Sequence, residues 1–325
     1  MIKLGIAGLG GWGQTLVNSV QGKSDKAVFV AGATGRKERA VDYCAEKNIR
    51  LLDSYEDLIA DPEIDGVVLA TLHSQHTQQI EAAATAGKPV FVEKPMTLDG
   101  AEAQSCADIM AGAGLPLCVG FNRRFLPTMQ KLVQVAQDGT LGKLLHIEGN
   151  ISGNGSLRYP AGHWRSNRAE SPAGGMTAMG VHMMDAIISV MGHVKSLRAV
   201  SERHATPIDV DDTTFATLKF ENGLTGVLTT IFATQKLWHI RVFGDKGWAE
   251  VHGETSFELR PLGGDPVVED FSGFDMNRAE LEGFADTIAN GTPYRVPTAD
   301  AVHGIHILNA IMEGAESGAE VQIPT

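Results

Sequence analysis

The chain has 325 residues, enough for two domains of ordinary size, and its 43% apolar and 20% charged composition is that of a globular protein with a sizeable core. A formal net charge of −12, from 27 basic and 39 acidic residues, speaks against nucleic acid as the main partner, because neutralising phosphates needs a basic face. No apolar run approaches the roughly 18 residues that span a bilayer, so no membrane partner is expected.

Through residue 121, short apolar runs rich in β-branched side chains alternate with amphipathic stretches of helical length. This predicts strands at 3–7, 28–33, 66–70, 89–92 and 115–119, and helices at 14–20, 37–47, 75–86 and 98–113. Parallel strands need such crossovers, so residues 1–121 read as a doubly wound parallel sheet of Rossmann type, covered on both faces. Beyond it the pattern changes. A helix at 127–138 precedes longer strands at 144–151, 196–201, 213–221, 224–232, 238–243 and 249–252, with Asn222-Gly223 as a hairpin signal between two of them. Helices are expected at 175–191, 277–289 and 298–316. Residues 122–325 therefore read as a second, α+β domain with a large, mostly antiparallel open sheet, giving an α/β chain overall.

The opening run passes straight into a glycine motif and is too short for a secretory leader. Cys44, Cys106 and Cys118 have no clip spacing, and an odd count fits a reducing, cytoplasmic setting better than a disulfide framework. Eleven histidines are scattered without a ligand cluster, so no metal is expected.

Gly8-Leu9-Gly10-Gly11-Trp12-Gly13 follows a predicted strand and opens a predicted helix, the context in which G-x-G-x-x-G signals a dinucleotide site. Gly8 allows the tight turn, Gly10 lets backbone approach a pyrophosphate, and Gly13 lets helix and strand pack closely. Gly11 and Trp12 complete the loop. At the end of the second strand an NAD-selective site would place Asp or Glu near Thr34 to hold the ribose 2′-hydroxyl. Here Thr34 is followed by Arg36 and Lys37, a hydroxyl and two cations that suit a 2′-phosphate. NADP is the expected cofactor, with NAD possible. The alternative reading makes Arg36 and Lys37 solvated residues of the next helix.

Three further motifs complete the pattern: Glu93-Lys94-Pro95 after the strand at 89–92, Gly120-Phe121-Asn122-Arg123-Arg124-Phe125 after the strand at 115–119, and Gly174-Gly175-Met176-Thr177-Ala178-Met179-Gly180-Val181-His182-Met183-Met184-Asp185. Together with the glycine loop this set resembles the Gfo/Idh/MocA oxidoreductase family over essentially the whole chain. The resemblance implies hydride transfer between nicotinamide and a carbinol or keto carbon of a sugar, sugar derivative or cyclitol. It also implies a homodimer or homotetramer through the C-terminal sheet.

By the same resemblance Lys94 and His182 are the catalytic candidates. A cation at a strand end favours developing alkoxide charge, and an imidazole suits proton exchange near neutral pH. Thr71, His73, His76, Glu93, Lys94 and Asn122 are candidate cofactor neighbours, although Leu72 and His73 replace the Pro and Asn of the family's usual loop. Tyr159, His163, Trp164 and Arg165 form a candidate sugar subsite, or a surface loop packed on its own Trp164. Arg123 and Asp185 are candidate substrate contacts; each also has a structural reading, an interface ion pair for Arg123 and helix-to-sheet packing for Asp185. Family members commonly carry an aspartate four residues before the histidine, where this chain has Ala178. That departure raises the alternative of a catalytically silent regulatory protein that binds dinucleotide and sugar.

Overall fold

The computed structural model describes residues 1–160 and 162–324. The chain divides into two compact units, Met1–Asn122 with Asp275–Val302, and Arg123–Phe274 with His303–Thr325. The first unit holds β1 (Ile2–Ala7), α1 (Gly11–Val20), β2 (Ala27–Ala33), α2 (Val41–Lys47), β3 (Arg50–Leu51), α3 (Tyr55–Ala60), β4 (Gly66–Leu69), α4 (His76–Thr85), β5 (Val90–Val92), α5 (Gly100–Gly112) and β6 (Leu117–Val119). Its six strands run parallel in the order β3-β2-β1-β4-β5-β6, the doubly wound sheet expected. Its central strands are buried on both faces, which is why they read as unbroken apolar runs.

The second unit contains α6 (Pro127–Gln137), β7 (Leu144–Ser152), α7 (Gly155–Arg158), α8 (Val181–Met191), β8 (Val194–Glu202), β9 (Thr213–Phe220), β10 (Thr225–Ile231), β11 (Leu237–Gly244), β12 (Gly247–His252), β13 (Ser256–Pro261) and β14 (Val267–Asp270). The chain then gives α9 (Met276–Asn290), α10 (Thr298–Ser317) and β15 (Val321–Gln322). Nine strands form one sheet in the order β14-β13-β12-β11-β7-β10-β9-β8-β15, antiparallel except for the β7–β10 pair. The Asn-Gly signal is the β9–β10 turn: Gly223 takes φ +84° and Asn222 Oδ1 accepts the Leu224 N–H at 3.1 Å. Gly149 on β7 lets α8 come close, since a Cβ there would fall 2.7 Å from Met183 Sδ.

The expected second domain, residues 122–325, is corrected in one place. Residues 275–302 return to the first unit, where Leu281, Phe284 and Ala285 of α9 join the core cluster of Leu16, Val17, Val20, Phe29 and Phe91. A helix's apolar stripe shows that it is buried but not which core buries it.

Candidate active site

In the first unit the glycine loop has the geometry its spacing implied. Gly8 sits at φ +95°, and a Cβ there would lie 2.3 Å from the Ala70 carbonyl oxygen. At Gly13 a Cβ would lie 1.9 Å from the Gly8 oxygen, so both positions exclude any side chain. Gly10 and Gly11 have nothing within 4 Å of where a Cβ would stand, leaving open space before the first turn of α1. Unpaired N–H groups and the positive end of the helix dipole face that space, which fits a pyrophosphate. Trp12 is 39% exposed at the rim. Thr34 ends β2 half-buried, Arg36 is exposed, and Lys37 forms an ion pair with Asp53.

At the far side of the same sheet, Lys94 follows β5 at its carboxyl end and is half-buried, where open α/β sheets take ligands. The Lys94–Pro95 peptide is cis. His76 is fully buried, and its Nδ1 lies 3.0 Å from the Pro95 carbonyl oxygen. A carbonyl only accepts, so Nδ1 carries the proton and His76 fastens the loop that bears Lys94. With no exposed surface, His76 supports that loop from within the fold. Its ring meets buried His73 edge-on, 6.0 Å between centroids. The Thr71 hydroxyl donates to Gln79 Oε1 at 2.6 Å. Glu93 is buried over Gly120, where a Cβ would stand 3.1 Å from its Oε1. Asn122 is 1% exposed and its amide donates to Asn277 Oδ1 at 2.8 Å, so in this structure it is turned to α9.

In the second unit His182 is the second residue of α8, 6% exposed, after a π-helical turn over Met176–Gly180. Such turns frequently mark functional positions. Glycines let this segment press on β10: a Cβ on Gly175 would fall 3.2 Å from Thr230 Cγ2, and one on Gly180 2.9 Å from Thr230 Oγ1. Ala178 is half-buried and offers no carboxylate to His182. Thr177 beside it is fully buried, its hydroxyl accepting the Ala173 N–H at 3.1 Å. Asp185 is 2% exposed, and both its oxygens accept from Arg124 Nε at 2.9 Å. This pairing with a buried guanidinium is what the packing reading of Asp185 requires. Arg123 pairs with Glu254 at 3.2 Å and lies 4.9 Å over the Trp238 ring, all within the second unit.

Residues before this helix form a stacked ladder. Tyr159 and His163 are parallel with centroids 4.4 Å apart, His163 stacks on Trp164 at 5.9 Å, and Arg165 lies 4.1 Å over the Trp164 ring. His163 Nδ1 accepts the Arg165 N–H at 3.2 Å, which leaves the ring proton on Nε2. Burial, then the neighbouring Arg165 charge, hold this imidazole below its usual pKa and favour the neutral ring. Arg168 pairs with Asp211 at 2.8 Å and anchors the loop's end.

Three residues escaped the sequence reading. Arg124 lay inside a quoted motif, but its partner is 61 residues away. Asn277 and Asp53 became visible only once α9 and the two-residue strand β3 were placed.

A parallel sheet with a glycine-only turn into an open helix N-terminus, and a lysine at the carboxyl end of a strand two places along, defines a dinucleotide-binding oxidoreductase scaffold. Residues 2–121 match the oxidoreductase family with NAD-binding Rossmann fold, and residues 129–250 match the Gfo/Idh/MocA C-terminal domain. The chain belongs to the Gfo/Idh/MocA oxidoreductase family. It is 30% identical over 225 residues to trans-1,2-dihydrobenzene-1,2-diol dehydrogenase of Bos taurus, an alignment spanning 68% of this chain and 65% of that protein. It is 27% identical to D-xylose 1-dehydrogenase (NADP(+)) 2 of Haloferax volcanii over 98% of both chains. Aldose-aldose oxidoreductase from Caulobacter crescentus shares the fold at TM-score 0.89, with 23% identity and 99% of each chain covered. Among the described residues no helix is long and apolar enough to cross a membrane.

Proposed function

We propose that this chain is an NADP-preferring dehydrogenase or reductase acting on a hydroxyl or keto group of a sugar, cyclitol or related polyol in the cytoplasm. The observation that carries the reading is the open glycine cradle before α1, with Lys94 at a strand end of the same sheet. Gly8, Gly10, Gly11 and Gly13 with the α1 N-terminus hold the pyrophosphate, and Thr34, Arg36 and Lys37 take the 2′-phosphate. The name of the Haloferax relative pairs NADP with a sugar substrate, in line with this. When bound, the nicotinamide supplies or accepts hydride. Lys94 brings a cation to the oxygen of the reacting carbinol, and His182 takes or returns its proton. Trp164 offers an apolar ring face to a sugar, and Arg165 donates hydrogen bonds to its hydroxyls. The exposed face of the nine-stranded sheet serves as the surface for a homodimer or homotetramer.

The test is turnover of NADP and NAD with a panel of sugars, cyclitols and sugar acids, followed by nicotinamide absorbance. Wild type is expected to turn over at least one of them. His182→Asn is expected to lose about 10²–10⁴-fold in kcat, the usual share of a general acid–base. Ala178 favours one second reading, a silent sensor. Saturable binding of cofactor and polyol without any absorbance change would select that reading over the enzyme.

A further inference from the structure

The charge at the cofactor-discriminating edge of the first unit comes from two strands. β3 runs parallel to β2 with Leu51 opposite Gly32, and the Leu52 N–H donates to the Gly32 oxygen at 2.9 Å. Two residues beyond that matched pair come Thr34, just past the end of β2, and Asp53, just past the end of β3. The acid that is missing from the end of β2 therefore stands at the same level, one strand over. The Asp53 side chain is 86% exposed and its carboxylate takes Lys37 as partner. Arg36, exposed one residue earlier, enters no ion pair among the described residues.

We propose that Asp53 is a specificity-determining residue for the 2′ substituent of the cofactor, competing with a 2′-phosphate for Lys37. The proposal rests on the reading of Thr34, Arg36 and Lys37 as the phosphate edge. With a 2′-hydroxyl in place, Lys37 keeps its carboxylate and loses nothing. With a 2′-phosphate in place, Lys37 must exchange one anion for another, and Asp53 is left beside a dianion. Lys37's hydrogen bond and charge hold Asp53 below the usual carboxylate range, so the competing anion is present throughout neutral pH. Arg36 carries no such competitor and favours the phosphate without offset. The net effect is a narrowed gap: the chain prefers NADP but still accepts NAD. Because the groups are exposed, salt screens both the attraction and the competition.

The experiment is a fluorescence titration of the full chain with NADPH and NADH, on wild type, Asp53→Asn, Lys37→Met and the double variant. Asp53→Asn is expected to tighten NADPH about three- to fivefold, within the range of exposed charge interactions, and to leave NADH within about twofold. Lys37→Met weakens NADPH, and in its background Asp53→Asn has no further effect, which identifies the two as one coupled unit. The gain from Asp53→Asn shrinks as salt is raised. If Asp53→Asn moves both cofactors equally, or neither, the proposal is overturned. The failures are separable. Loss of NADPH affinity in Lys37→Met with no gain in Asp53→Asn removes only the role of Asp53. Unchanged NADPH affinity in Lys37→Met removes the phosphate edge itself, and the proposal with it.

Discussion

The buried pair between Arg124 and Asp185 shows how a single residue's role is decided by what reaches it. Asp185 shares a helix face with His182, so the sequence offers it equally to a substrate or to packing. The structure brings a guanidinium to 2.8 Å of it, with both side chains more than nine-tenths buried. Two charges removed from water hold together only as a pair, and removing one leaves the other stranded. Asp185→Asn is therefore expected to lower unfolding stability by about 3–5 kcal/mol in urea titration. Replacing both by apolar residues, Arg124→Met with Asp185→Leu, should recover most of that loss. Equal losses in the single and double variants would mean that the pair is not the source of the effect. Glycine roles, in contrast, were legible in the sequence. Gly8 and Gly13 belong to a recurring motif, and at Gly13 the atom that forbids a Cβ, the Gly8 oxygen, lies within the same βα turn. The pairing of Asp185 with Arg124 spans 61 residues, and no local pattern encodes it.

At the scale of elements, strand and helix periods gave most of both sheets, and the misses have physical causes. β3 has two residues, too few for a period, and β14 lies at a sheet edge with three of its four residues exposed. α9 was expected as a helix but in the wrong core. Its docking is specific: Phe284 is fully buried, and Gly66 on β4 leaves room for it, since a Cβ there would lie 3.1 Å from Phe284 Cζ and 2.7 Å from Ile288 Cδ1. Arg278 Nε donates to the Ser19 carbonyl at 3.0 Å, satisfying an orphan acceptor in the last turn of α1 and adding a cation at its negative dipole end. Thus a segment more than 250 residues away in sequence holds the helix whose other end carries the glycine cradle. Phe284→Ala is expected to cost about 3–5 kcal/mol of stability. It should also weaken dinucleotide binding, measured by titration under conditions where the variant remains folded. Unchanged cofactor affinity in a destabilised but folded variant would separate the support of the core from the support of the site.

For the molecule as a whole, the sequence shows an open sheet by its alternation but not what meets it. β9 alternates buried with exposed residues along its length, the pattern of a sheet with one dry face. On the outer face Val200 and Phe215 stand directly opposite across β8 and β9 and are 54% and 43% exposed. Further along the same sheet, Arg241 lies over the rings of Phe243 and Trp248 and pairs with Glu250, a polar end to an otherwise mixed surface. Nine strands at about 4.8 Å spacing and about six residues in length give a face of roughly 800 Å², the share one partner contributes to a standard interface. An apolar pair of this kind, on the second and third strands from one edge of such a face, suits a second copy of the chain meeting it by a two-fold axis, since each copy then brings the same patch. Phe215→Glu would place a carboxylate inside that contact, without a partner to offset its burial. The expected outcome is a chain that folds with unchanged secondary structure but has the mass of a monomer by light scattering, where wild type has the mass of a dimer or tetramer. A monomeric wild type would exclude the sheet as an assembly surface. An oligomer untouched by Phe215→Glu would place the contact elsewhere and leave this apolar pair to another role.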